Sequence, residues 1–161
     1  GKRRLFMAVE MIRIDDRLIH GQIVTAWAKN KQINKIWIVD DGVSKDEFVK
    51  GIMQLVAPSD KELIISGLDE MPSILEKLDN DSPRVLILVK FPSTAEAIFK
   101  AGVKHRELNV GGIGAGPDRQ KLFKNISASK EEKETLKNIQ DMGVDVFFQV
   151  TPDERKTEFT Y

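Results

Sequence analysis

The stretch Val9-Glu10-Met11-Ile12-Arg13-Ile14-Asp15-Asp16-Arg17-Leu18-Ile19-His20-Gly21-Gln22-Ile23-Val24-Thr25-Ala26-Trp27-Ala28 decides how the rest of the chain is read. Val9 to Ile14 is a mainly apolar run that reads as a buried strand, and Gly21-Gln22 opens a helix whose apolar face is Ile23, Val24, Trp27 and Ala28. The polar residues between them, and His20, fall on a strand-to-helix turn. In an open parallel sheet such a turn lies at the carboxyl edge of the strands, where ligands bind.

The alternation continues outward from this unit. Lys35–Asp40 reads as a strand, and Ser44 with Glu47 three residues on reads as a capping box for a helix that stops before Pro58. Glu62–Ser66 is a strand, Asp69 to Leu78 a helix, and Asn80-Asp81-Ser82-Pro83 a loop. Val85 to Lys90 is almost continuously apolar, as expected of a central strand covered on both faces. Ser93 and Glu96 read as a second capping box, with Gly102 ending that helix. Leu108–Val110 is a brief strand and Lys121–Ile126 another; Ser129 with Glu132 caps a helix through Met142, ended by Gly143. Val144–Val150 is the last strand, followed by a polar tail after Pro152. This pattern predicts an α/β fold: a single-domain, open, mostly parallel sheet of about seven strands with helices on both faces.

A length of 161 residues favours one domain, and 41% hydrophobic residues suffice for a substantial core. Lysine plus arginine equals aspartate plus glutamate at 25 each, so no basic excess points to nucleic acid. The absence of cysteine excludes disulfides, thiolate metal sites and a cysteine nucleophile. No apolar run approaches the roughly 18 residues of a membrane span, and no signal-peptide pattern is present, so a cytoplasmic protein is expected. Residues 1–6, Gly-Lys-Arg-Arg-Leu-Phe, read as a cloning remnant or the end of an upstream linker, with Met7 as the native start and 7–161 as the domain.

The turn suits an anion. The first N–H groups of a helix lack intrahelical partners and carry the positive end of its dipole. Gly21 lets an oxyanion approach the main chain, and Arg17 adds a planar fork of donors. Histidine, with a reference pKa of about 6.5, is often neutral and nucleophilic near pH 7. A nucleophile and a phosphate cradle in one turn point to phosphoryl transfer. The plainer reading makes His20 a cap or surface residue, and pairs Arg17 with Asp15 or Asp16 for at most about 1 kcal/mol.

The whole string is more specific than its parts. Arg13-Ile14-Asp15-Asp16-Arg17-Leu18-Ile19-His20-Gly21-Gln22 closely resembles the signature of the sorbose/mannose-type IIB components of the phosphoenolpyruvate-dependent sugar phosphotransferase system. The resemblance extends through Ile38-Val39-Asp40-Asp41, Ala57-Pro58, Leu88-Val89-Lys90-Phe91-Pro92 and Glu107-Leu108-Asn109-Val110-Gly111-Gly112, from Met7 to about Lys156. It implies that His20 carries the phosphoryl group on Nδ1, taken from a partner IIA domain and passed to a sugar presented by membrane IIC and IID components. The phosphate contacts expected beside it are Arg17, Gly21 and Gln22, with Asp15 orienting His20 or Arg17 and Arg13 adding positive potential. No metal or other cofactor is expected, and the protein would meet the inner membrane face only through its partners.

Two readings from other classes stand beside it. Asp15-Asp16 and Asp40-Asp41 at strand ends suit a Mg²⁺-binding receiver domain phosphorylated on aspartate, although Ser66-Gly67 stands where the acceptor aspartate belongs. Alternatively, the helix start holds a phosphorylated metabolite without chemistry. The cluster Gly111-Gly112-Ile113-Gly114-Ala115-Gly116-Pro117 fits neither G-x-G-x-x-G nor a P-loop, and reads as a strand-end loop near the histidine or a partner. His105, in Lys104-His105-Arg106, reads as a solvated loop residue.

Overall fold

A computed structural model describes residues 5–81 and 83–161. The expected loop residue Ser82 and most of the expected 1–6 leader lie outside the described residues. In chain order the elements are β1 (Val9–Asp15), α1 (Ile23–Asn30), β2 (Lys35–Val39), α2 (Asp41–Ser44), α3 (Glu47–Val56), β3 (Glu62–Ser66), α4 (Met71–Asp81) and β4 (Val85–Val89). There follow α5 (Pro92–Lys100), β5 (Glu107–Gly112), β6 (Gln120–Phe123), β7 (Ile126–Ala128), α6 (Lys130–Asp141), β8 (Asp145–Phe148) and β9 (Thr157–Glu158).

Seven strands form one sheet in the order β3-β2-β4-β1-β5-β8-β9. The first six run parallel, and β9 joins antiparallel at one edge. β1 sits at the centre, paired with β4 on one side and β5 on the other, so its carboxyl end opens mid-edge. Every residue of β4 is buried, as its unbroken apolar run requires of a strand covered twice. Residues of α4, α5 and α6 close one face over Ile12, Ile14 and Ile87. Residues of α1 and α3 close the other over Met11, Ile36 and Leu88.

Four expectations change. Ser44 does not cap the long second helix: its hydroxyl donates back to Asp41 O, ending α2. Asp46 caps α3 instead, accepting from the N–H groups of Phe48 and Val49. Ser93 does not cap α5 either, because Pro92, with its fixed φ and no N–H, occupies the first turn after Phe91. The run Lys121–Ile126 is not one strand of the sheet. Lys124 takes φ 42° and folds it into the β6–β7 hairpin, a separate two-stranded sheet, and β9 fills the seventh place. Finally α4 runs on through Asp81, over residues expected as loop. The Ser129–Glu132 capping box forms as expected. Phe6, set aside with the leader, bonds in backbone register to the chain around Val103.

The β9 edge is pH-sensitive. A hydrogen bond to Asp145, with burial and the Asp145 charge adding to it, pushes the Glu158 carboxyl up to about 7. Because the folded state then holds a proton that the unfolded state has released, stability should fall as pH rises from about 4.5 to about 7. Glu158→Gln should flatten that segment of the stability curve in urea titrations, and an unchanged slope would refute the pairing.

Candidate active site

Beyond β1 the chain makes a tight turn before α1. Asp16 N–H donates to Gly112 O (3.0 Å) and Leu18 N–H to Asp15 O (2.9 Å). Leu18 and Gly21 take the left-handed backbone region at φ 58° and 53°. For a leucine this conformation costs on the order of 1 kcal/mol, and burial of Leu18 and Ile19 among the α1-side core residues holds it. With those two side chains turned inward, the flanking Arg17 and His20 side chains emerge, 46% and 22% exposed.

Asp15 is the hub beneath them, its side chain 1% exposed. One carboxylate oxygen lies 2.9 Å from His20 Nε2 and accepts from Arg13 Nη2 at 3.2 Å; the other accepts from Arg17 Nε at 3.2 Å and from Arg17 N–H at 3.1 Å. Burial by itself would push this carboxyl up, but the His20 hydrogen bond, the Arg13 charge and the Arg17 contacts together hold it below the usual carboxylate range. An ionised carboxylate only accepts, so the His20 proton belongs on Nε2. Nδ1 makes no hydrogen bond among the described residues, and the ring is 22% exposed. Asp15 thus contacts His20 and Arg17 at once.

Arg13, expected from sequence to add positive potential, is buried at 1% exposure and paired with Asp15 at 3.2 Å. Its guanidinium lies over the Trp27 ring, 5.7 Å from the centroid, and donates to Asn109 Oδ1 and to Gln149 O. Burial lowers its pKa, with Asp15 opposing. Its positive charge is thus directed at Asp15. Gly111 and Gly112 make room for this cluster: a Cβ on Gly111 would overlap the Arg13 guanidinium, and one on Gly112 would come within 2.9 Å of Asp15. Asn109 and Gln149 were missed from sequence as site residues, and Gly111 was read only as part of a strand-end loop near the histidine or a partner. A polar residue inside β5, two places before a pair of glycines, was the available signal.

α1 begins at Ile23, two residues later than expected, with Gln22 as an N-cap that makes no side-chain hydrogen bond and with no acidic residue in the first turn. Gly21 and Gln22 are exposed at that open helix start. A Cβ on Gly21 would meet nothing within 4 Å, so its backbone angle is what requires glycine, and the space above it is free. The loop after β5 does reach the turn: Gly114 N–H donates to Asp16 at 2.8 Å. Between them an open groove of about 620 Å³ runs from Arg17 past Gly114 to Lys121 and Lys124.

The carboxylates of the receiver reading are dispersed. Asp40 caps α2, Asp41 accepts from Leu68 N–H, and β4 separates the ends of β1 and β2. Among the described residues no three acidic or histidine side chains converge as metal ligands. His105 is half-buried rather than solvated, burial lowering its pKa against Glu107 and Glu10, and it lies before β5 at the opposite edge of the sheet from His20.

A family model described as "PTS system sorbose subfamily IIB component" matches residues 9–160. The fructose-specific EIIB component of Bacillus subtilis is 28% identical over 153 residues, covering 95% of this chain and 94% of the relative. The mannose-specific EIIAB component of Escherichia coli is also 28% identical, over 141 residues, but this chain spans only 44% of its length. The crystal structure of the IIBSor domain of the Klebsiella pneumoniae sorbose permease superposes with a TM-score of 0.89 at 26% identity, covering 94% and 93% of the two chains.

Proposed function

The chain belongs to the PTS sorbose-subfamily IIB family, and on that premise we propose that His20 is its phosphoryl carrier in sugar uptake. The IIB domain comprises residues 7–161. Neutral His20 attacks with Nδ1 the phosphorus of a phosphohistidine on a IIA domain, forming one N–P bond as the donor's breaks. A sugar hydroxyl held by the membrane IIC and IID components then takes the phosphoryl group, giving up its proton as the His20 N–P bond breaks. The fusion named in the EIIAB relative supports the IIA partnership. No helix among the described residues is long and apolar enough to cross a membrane; in this reading the domain is cytoplasmic and meets the bilayer through its partners.

The observation that carries this reading is the division of labour on one imidazole. Asp15 holds Nε2 at 2.9 Å through one oxygen, leaving Nδ1 without a hydrogen bond, and holds the exposed Arg17 guanidinium through the other. Phosphoryl transfer needs in-line alignment and neutralisation of the equatorial oxygens more than covalent help. Arg17, steered by Asp15 through Nε, keeps its Nη groups for those oxygens, and the N–H groups at Gly21, Gln22 and the α1 start act as fixed dipoles. The test is incubation with a phosphoenolpyruvate-driven relay that includes a IIA domain. Intact mass should show one added phosphoryl group, labile in acid and stable in base; an adduct destroyed by base would mean an acyl phosphate. Arg17→Ala should slow transfer by about 10²- to 10³-fold with the fold unchanged. A near-normal rate in rapid-quench measurements would remove Arg17 from the mechanism.

A further inference from the structure

α3 carries a wider apolar arc than its own packing uses. Val49 and Met53 turn toward the sheet, with Ala57 just beyond the helix end. Phe48, Ile52, Leu55 and Val56, at i, i+4, i+7 and i+8, form a second stripe that faces water, with Phe48 77% and Leu55 86% exposed. Together they leave on the order of 400–500 Å² of apolar surface uncovered, the scale at which a patch marks a contact site. Gly51 sits on the same side of the helix, between Phe48 and Leu55. A Cβ there would meet nothing within 4 Å, so nothing inside the chain requires a glycine that weakens the helix.

We infer that α3 is the contact surface of a homodimer, packed antiparallel against the α3 of a second copy about a two-fold axis. The stripe is self-complementary. With the axis between positions 51 and 52, Phe48 faces the partner's Leu55, Leu55 faces the partner's Phe48, and each Gly51 notch receives the partner's Ile52. A two-fold contact demands this reciprocity, and the notch lets the helices approach closely. The two stripes bury roughly 900 Å², which with the flanking polar residues reaches only the lower bound of specific interfaces, so the dimer is weak and concentration-dependent. The His20 turn follows β1, and β4 separates β1 from β2, the strand that precedes α2 and α3.

Sedimentation velocity of the whole chain from about 1 to 500 µM should show monomer passing to dimer, as expected for an interface of this size. Leu55→Glu and Phe48→Glu should stay monomeric across the range while keeping the circular dichroism of the wild type. Gly51→Ala separates contact from folding: it should raise the thermal midpoint of dilute protein by roughly 2–4 °C while weakening association about tenfold. In this cysteine-free chain, Ile52→Cys should oxidise to a linked dimer and Ser73→Cys, on α4 at the opposite face, should not. Wild-type protein monomeric at the highest concentration, a Leu55→Glu variant that dimerises like wild type, or equal cross-linking of the two cysteine variants would overturn the inference.

Discussion

His20→Ala protein is expected to gain no phosphoryl group from a IIA donor, while its melting temperature and circular dichroism stay near those of the wild type. The ring is 22% exposed and its one side-chain hydrogen bond among the described residues is to Asp15, so little packing is lost with it. Asp15 keeps its Arg13 and Arg17 partners, and its charge stays compensated. Loss of function should therefore be total and loss of stability small. The only other histidine, His105, sits at the far edge of the strands and offers no substitute nucleophile in the turn. Residual stoichiometric phosphorylation of the variant would place the carrier elsewhere.

Asp15→Asn should damage both the fold and the chemistry. Removing one partner from a buried ion pair strands the other, and Arg13 is as buried as Asp15. A destabilisation of about 3–5 kcal/mol at pH 7 follows from the general cost of an uncompensated buried charge. The pH dependence has a definite sign. The folded carboxyl lies below its ordinary value, so its contribution is present above the unfolded pKa and lost as pH falls through the folded one. The gap between wild type and variant should be wide at neutral pH and close in strong acid. Among the molecules that remain folded, an amide can donate to Nε2 and shift the imidazole proton to Nδ1, the tautomer that cannot attack. Transfer should then fall by on the order of 10³- to 10⁴-fold, as where asparagine replaces the aspartate of a catalytic triad. A variant within about 1 kcal/mol of wild type at pH 7 would show that Asp15 is not the hub of the site.

What sequence discloses and what it hides follow physical lines. The unbroken apolar run of β4 and the strand-turn-helix at residues 9–28 are local patterns, and they identified a parallel sheet covered on both faces. The cap of α6 was legible because Ser129 and Glu132 meet no local competitor. The same spacing misled at Ser44 and Ser93, where Asp46 and Pro92 stand closer to the true helix starts. The β6–β7 hairpin turns at Lys124 and Asn125 without glycine, with Lys124 in a left-handed conformation, so Asn125 was the one residue that hinted at it. β9 is two polar residues long and pairs only because β8 presents an open edge. In the site, Arg17 and His20 were readable from one continuous string. The support beneath them was not: Asn109 lies 96 residues from Arg13, and the need for glycine at 111 arises from a guanidinium delivered by another strand.

The central claim is that Asp15 fixes one ring nitrogen so that the other carries phosphorus. Its most direct test is heteronuclear NMR of nitrogen-15-labelled histidine in protein phosphorylated by the relay and kept at alkaline pH. The expected result is phosphorus coupled to Nδ1 of His20, with Nε2 still protonated against Asp15. Phosphorus on Nε2, or on any other side chain, would contradict it.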